Sequence, residues 1–365
     1  MTDMVTPETG KAAAAAPGTP PIPGSAGGPA ETRGASAGPG LVARFGLIGA
    51  FVLAFLVFGI ARPTTFLTLD NMTSILLQAA PSLVIAVFLT VVLVMKDFDL
   101  SFGSVISLGA GTAVILMSKL AFPPVAAILI ALAFGLGVGL VNGVLVAYLG
   151  GSSFVITLAM GTIVAGAEFA ITDQASIFDG IPAGFAAIGQ GSRLGMNNLV
   201  WIAVVVAVII AVVLERTELG RYMYATGGNP DAARLAGVRT RQLRLIGFAL
   251  LGLGAAGVGI MLSAQAASYT PSIGGAYLLP AFAAAFLGTA VFKPGEFTVA
   301  GTVVGVLFLG MVQTGLTMLN LETYAINLVQ GAILVVGVLV SRLERRSLAV
   351  PRTKRRRRAE ARTTG

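Results

Sequence analysis

Between residues 43 and 341 the chain is a nearly unbroken series of apolar runs, and no water-soluble fold can bury so many. The runs cover about 43–61, 74–95, 102–120, 122–148, 153–172, 197–215, 243–265, 277–292, 298–318 and 324–341. A helix needs about 20 apolar residues to cross the hydrocarbon core. Most of the runs reach that length. Only 11% of residues are charged and 56% are hydrophobic, against about 25% charged residues in a typical soluble domain. The expected fold is all-α: a polytopic membrane helix bundle of about ten transmembrane helices. Segment 277–292 is short and 102–120 follows charges closely, so either could be a broken or re-entrant helix. The 47 glycines fit a tightly packed bundle, because small residues let membrane helices approach one another closely.

The first 40 residues are rich in Ala, Gly, Pro, Ser and Thr. They offer too little apolar surface to order themselves, and read as a disordered tail. A secretory signal is not expected there, since the first long apolar run begins only after Arg44. The bundle is expected over 41–345 and a basic tail over 346–365. No Cys or His occurs. Disulfides, thiol nucleophiles and imidazole chemistry are thereby excluded, and no metal site of the usual kind is expected.

Lys and Arg in short loops set orientation. The segment between the sixth and seventh runs holds Arg216, Arg221, Arg234, Arg239, Arg241 and Arg244, and the C-terminal tail holds the run Arg355 to Arg358. The segment 173–196 has only Arg193, and 266–276 has no charge. Ten spans with both termini in the cytoplasm put the two arginine-rich regions on the cytoplasmic side. A basic run directly after a span fits anionic membrane lipid, not nucleic acid.

The polar stretch Gly220 to Thr240 interrupts this apolar chain. Its centre carries the signals of a short helix over 230–236. Gly228 precedes it. Asn229 is a good N-cap, and Pro230 suits the first helical position. Asp231 faces the positive end of the helix dipole, while Ala232, Ala233, Arg234 and Leu235 favour helix. Gly237 suits a left-handed C-terminal cap. On these features alone the segment is either a docking element over the coupling loop 216–242 or an ordinary capped connector.

Four stretches, in order and spacing, carry a resemblance. They are Asp99-Leu100-Ser101-Phe102-Gly103-Ser104, Asn142-Gly143-Val144-Leu145-Val146-Ala147-Tyr148, Ser153-Phe154-Val155-Ile156-Thr157-Leu158, and Gly220–Val238 with the span after it. Over about residues 41–345 the chain resembles the permease subunits of the ribose-type branch of bacterial ABC importers. The resemblance implies a multi-pass inner-membrane subunit carrying a monosaccharide or small polyol by alternating access. It implies a homodimer around a central path, an extracytoplasmic sugar-binding protein and a cytoplasmic ABC ATPase docked on the arginine-bearing loop. The turns Lys96-Asp97-Phe98 and Lys293-Pro294-Gly295-Glu296-Phe297 depart from the family pattern. No Walker-type Gly-Lys-Ser/Thr motif is present. The chain is therefore expected to bind no cofactor and to be no enzyme, with ATP used by the partner ATPase.

Candidates for the translocation path are Asp99, Ser101, Asn142, Thr157, Glu168 and Glu296. Ionisable residues in a span are functional candidates by default. For Asp99 and Ser101 the alternative is a cap on the third helix. For Glu168 it is a carboxylate near the outer helix end with its head group in water. Asn142, Gln265, Gln313, Asn320, Asn327 and Gln330 are uncharged polar groups in or near spans, and interhelical hydrogen bonds account for most such residues. Lys96-x-x-Asp99-Leu100-Ser101 is echoed by Lys293-x-x-Glu296-Phe297-Thr298, which hints at an internal repeat. The competing function is an ion-gradient-driven transporter with Glu168 as its coupling carboxylate.

Overall fold

The computed structural model describes residues 39–293 and 295–348. Except for residues 39 and 40, the predicted N-terminal tail lies outside the described residues, as does the basic run 355–358. Among the described residues there are fourteen helices. They are α1 (Pro39–Ala61), α2 (Pro63–Phe66), α3 (Leu69–Val94), α4 (Phe102–Ser118), α5 (Pro124–Ala147), α6 (Ser153–Thr172) and α7 (Ala183–Gln190). Then come α8 (Asn198–Arg216), α9 (Glu218–Gly228), α10 (Pro230–Leu235), α11 (Thr240–Ala266), α12 (Gly275–Gly288), α13 (Val299–Met318) and α14 (Thr323–Leu348). A two-stranded antiparallel hairpin, β1 (Ser192–Arg193) with β2 (Met196–Asn197), follows α7.

Each of the ten predicted apolar segments falls on a helix. Six helices, α3, α5, α6, α8, α11 and α13, are both long and apolar enough to cross a membrane. The apolar parts of α1, α4, α12 and α14 are shorter. The fold is thus an all-α membrane bundle.

Burial sorts the helices into two sets. Helices α3, α11 and α13 are mostly buried, whereas α5, α6 and α8 keep most of their surface outside the bundle. The outward face of α8 carries Val204, Val205, Val208, Ile209 and Val212, all exposed. A purely aliphatic face of this kind suits a lipid environment. Helix α11 runs against α3, α4, α5 and α7. Its closest partner is α5, where Gly135, Gly139 and Gly143 recur every fourth residue and fall on one helical face. A Cβ on Gly139 would stand 2.3 Å from the carbonyl oxygen of Phe248. The two backbones are in contact there, and only glycine fits.

After α11 the chain leaves helical geometry over 267–274, with left-handed Ala267 (φ 47) and Ser272 (φ 57). This stretch turns back along α4 and α6. The Gly274 amide donates to Ser107 Oγ at 2.9 Å, and a Cβ on Gly274 would lie 2.0 Å from the Gly103 carbonyl oxygen. Helix α12 therefore begins beside the first turns of α4. It has 14 residues, about 21 Å at 1.5 Å per residue, which is shorter than the roughly 30 Å hydrocarbon core. Both segments expected to be broken or re-entrant follow irregular backbone, 95–101 before α4 and 267–274 before α12, and 277–292 holds the shorter helix. The other forms the continuous 17-residue helix α4.

Candidate translocation and coupling sites

The polar stretch between α8 and α11 folds as two helices, not one. Helix α10 matches the sequence expectation closely. Asn229 Oδ1 accepts from the amides of Asp231 and Ala232, both at 3.1 Å, and Pro230 opens the helix. At the other end Gly237 is left-handed (φ 86). The Gly237 amide donates to Arg234 O and the Val238 amide to Ala233 O, each at 3.0 Å. This pair of bonds is the Schellman closure, which satisfies the last carbonyls. Ala233 faces inward, and Leu235 is 92% exposed. Arg234 pairs with Asp231 at 3.6 Å and Arg221 with Glu218 at 3.4 Å. All four side chains are exposed, and such pairs hold little energy.

Helix α9 was not anticipated. The signal for it was local: Thr217 Oγ1 accepts from the Gly220 amide at 3.4 Å, and Glu218 follows in the first turn, where a carboxylate complements the dipole. Low overall hydropathy hid it among the apolar runs. Helix α9 lies across the end of α3, so that a Cβ on Gly227 would meet the Val94 carbonyl oxygen at 1.9 Å. It touches both turns of the suggested repeat. Lys96 Nζ donates to Gly228 O at 3.4 Å, and the Tyr224 hydroxyl donates to Phe297 O at 2.8 Å. The two turns therefore lie at the same end of the bundle. Burial, then the charges of Glu215 and Glu296, push the Tyr224 phenol up to about 12, so it remains a donor at any physiological pH. Glu296 itself is exposed on the turn, and Lys293 Nζ sits 5.9 Å from the Tyr224 ring centroid.

The turn between α3 and α4 carries two buried carboxylates with different partners. Asp97 is 4% exposed. Its Oδ2 accepts from Arg244 Nε at 2.6 Å, and its Oδ1 accepts from Arg244 Nη2. Arg244 Nη1 also reaches Val146 O at 3.5 Å. This forked pair joins the turn to the start of α11 and the end of α5. In sequence Arg244 is one of the arginines that set topology, with nothing local to mark Asp97 as its partner.

Asp99 faces a different cluster. Its Oδ1 accepts from the Ser101 amide at 2.7 Å and the Ser101 hydroxyl at 2.6 Å. Asn142 Nδ2 donates to Ser101 Oγ at 2.8 Å and to Asp99 Oδ2 at 3.3 Å. Thr157 Oγ1 accepts from the Leu100 amide at 3.0 Å. Burial pushes the Asp99 carboxyl above the ordinary carboxylate range, while the Ser101 and Asn142 hydrogen bonds pull the other way. Four of the six sequence-predicted path residues thus converge, as a buried knot that fixes the start of α4 against α5 and α6.

Glu168 is also buried, at 1% exposure, and not in water at the helix end. Its Oε1 accepts from the Tyr269 hydroxyl at 2.6 Å and from the Ser272 amide at 2.8 Å. Irregular backbone at membrane depth needs such partners, because no water is available to satisfy it.

A cavity of about 510 Å³ lies elsewhere, between α3, α12, α13 and α14. Its size is in the usual range for small-molecule sites. Gln78, Gln265, Tyr277, Gln313, Asn327 and Gln330 supply most of its polar lining. None of Asp99, Ser101, Asn142, Thr157, Glu168 or Glu296 lines it, and among the described residues no lining side chain is charged. Four of the amides were read from sequence only as interhelical bonding groups. One pair does bond: Gln330 Nε2 donates to Gln313 Oε1 at 3.2 Å. Pro81 and Pro280, both inside helices, also stand in the wall.

Known proteins show a consistent likeness. The ribose import permease protein RbsC of Escherichia coli (strain K12) is 33% identical over 75% of this chain and 86% of its own length. The L-arabinose ABC transporter permease protein AraH of Azospirillum brasilense is 32% identical over 90% of this chain and 95% of its own. The galactose/methyl galactoside import permease protein MglC of Escherichia coli (strain K12) is 32% identical, covering 82% of this chain and 94% of its own. No solved structure matches. Residues 71–338 match the family described as branched-chain amino acid transport system / permease component, and the chain belongs to that family.

Proposed function

We propose that this chain is the membrane permease of an ATP-driven importer for a monosaccharide or a similar small neutral polyol. The observation that carries the reading is the uncharged cavity walled by amides and hydroxyls. An amide both donates and accepts, as a sugar hydroxyl does. A branched-chain amino acid, which the family description names, would bring a carboxylate and an ammonium into that cavity. Neither would find a countercharge, and an unpaired charge within the membrane is strongly disfavoured. The names of the relatives, ribose, arabinose and galactose permeases, support the same choice.

In this reading the bundle crosses the bacterial inner membrane ten times, with the four shorter apolar helices completing the six long ones. Both termini and α10 are cytoplasmic, in keeping with the arginines between α8 and α11. Two copies form the transporter, and an extracytoplasmic sugar-binding protein delivers substrate. A separate ABC ATPase binds α10 through Leu235 and Arg234, and ATP is used there. Helix α9 carries the resulting motion to the turns 95–101 and 289–298, which it touches. The ion-driven alternative loses its candidate, because the Glu168 carboxylate is engaged by Tyr269 and Ser272 and does not line the cavity.

Uptake of labelled ribose, arabinose, galactose and leucine by cells expressing the chain with its partner subunits tests the proposal. Uptake of at least one sugar is expected, none of leucine, and loss of sugar uptake with the double substitution Leu235→Asp and Arg234→Glu. Leucine uptake, or sugar uptake that survives the double substitution, would overturn it.

A further inference from the structure

A second cavity of about 460 Å³ lies against the first, at the end of α3 farthest from α9. Asp70, Ser74, Gln78, Thr314 and Thr317 are among its lining residues, and Gln78 and Thr317 line both cavities. On α3 the residues Asp70, Ser74, Gln78 and Ser82 recur every fourth position. Residues spaced by four share one helix face and stand roughly 6 Å apart along the axis. A polar stripe thus descends from the end of α3 into the middle of the bundle. It begins at exposed Asp70 and ends at half-buried Ser82.

Two features point to a ligand along this stripe. Thr314 lines the vestibule, and its buried hydroxyl has no hydrogen-bond partner among the described residues. A buried hydroxyl without a partner is disfavoured unless water or a solute completes it. Pro280 brings the second feature. It has no amide to donate, so the Ala276 carbonyl, in the wall of the inner cavity, lacks its usual helical donor. Both groups suit a hydroxyl-bearing molecule.

We infer that the two cavities are successive stations for a neutral polyhydroxylated solute, with Gln78 as the shared selectivity position between them. This rests on the sugar-permease reading and extends it, because selection among solutes then occurs in the permease itself. At the vestibule the solute meets Thr314 and Thr317, and its hydroxyls exchange one α3 partner for the next as it moves. At Gln78 it passes to the inner amides, Gln313, Asn327 and Gln330. Asp70, the only charged one among the described residues lining either cavity, stands at the mouth, where it repels anions.

The absence of cysteine makes the test direct. Ser74→Cys, Gln78→Cys and, as a control on the lipid-facing side of α8, Val208→Cys are made in the full chain with its partner subunits in cells. Each is treated from outside with a charged, membrane-impermeant methanethiosulfonate reagent. Ser74→Cys and Gln78→Cys are expected to react, Val208→Cys is not, and saturating transported sugar slows reaction at Gln78→Cys at least threefold. In parallel, Gln78→Leu is expected to lower sugar uptake at low concentration at least tenfold, with Gln78→Asn restoring part of it. An unreactive Gln78→Cys, a reaction rate that no sugar changes, or full uptake by Gln78→Leu overturns the route. If the parent chain imports no sugar at all, the functional reading fails instead, while reagent access at Ser74 and Gln78 still reports whether the passage exists.

Discussion

The forked pair of Asp97 and Arg244 offers the sharpest stability prediction. Replacing Arg244 with Ala leaves the Asp97 carboxylate, 4% exposed, without its countercharge and without both of its hydrogen-bond donors. Removing one partner of a buried ion pair typically costs about 3–5 kcal/mol. The Arg244 side chain is 28% exposed, which places the expected loss near the lower end, about 3 kcal/mol. That is more than a hundredfold in the folded-to-unfolded ratio at about 1.4 kcal/mol per decade. The reverse change, Asp97→Ala, frees an arginine that can still reach water, so its loss should be smaller. The double variant Asp97→Asn with Arg244→Gln removes both charges and keeps polar groups in place, and should lose less than Arg244→Ala alone. Equilibrium unfolding in mixed detergent micelles, followed by tryptophan fluorescence of Trp201 and by circular dichroism, gives these free energies. A full cycle with Asp97→Ala, Arg244→Ala and their double closes the argument. If the single losses add to the double loss within about 0.5 kcal/mol, the pair is not coupled and the reasoning fails.

Three further outcomes follow from the geometry. Glu168→Leu leaves the Tyr269 hydroxyl and the Ser272 amide without their acceptor, at about 1–3 kcal/mol for each, whereas Glu168→Gln keeps an acceptor and should lose clearly less; thermal denaturation of the purified protein separates them. Gly139→Val forces a side chain into the Phe248 carbonyl, and should abolish a folded monodisperse species in size-exclusion chromatography, while the same change at Gly137, whose Cβ would meet nothing within 4 Å, should be tolerated. Tyr224→Phe removes only the hydroxyl that ties α9 to the turn before α13. It should leave thermal stability within about 1 kcal/mol yet lower sugar uptake relative to ATP hydrolysis, and an unchanged ratio would sink the idea that α9 carries motion to that turn.

Which parts of this molecule were legible in sequence follows from the range of the interactions involved. Helix α10 was readable to its caps, because Asn229, Pro230 and Gly237 act on neighbours within four residues. The apolar runs were readable because crossing a membrane demands length and hydropathy, which are local sums. Helix α9 was missed for the same reason in reverse: with Arg221 and Glu218 in its first turn it is neither apolar nor long. Asp97 and Arg244 are 147 positions apart, and nothing in either neighbourhood names the other. Asp99, Ser101, Asn142 and Thr157 were path candidates in sequence, and the fold does gather them: the first three hydrogen-bond one another and Thr157 holds the neighbouring Leu100 amide, away from the amide-lined cavity. Conversely, the amides of that cavity come from α3, α11, α13 and α14, each looking on its own helix like an ordinary interhelical contact.

The irregular stretch 267–274 also constrains how the protein is made. Its backbone amides at Ser272 and Gly274 are satisfied by Glu168 and Ser107, which belong to helices synthesised earlier. Helix α12, with only 14 residues, takes its place against α4 through this stretch. In translation order the groups that receive 267–274, on α4 and α6, are made before α12. Translation order then serves as a quality check: a fault in α4 or α6 should surface as degradation of a full-length chain whose second half never seats.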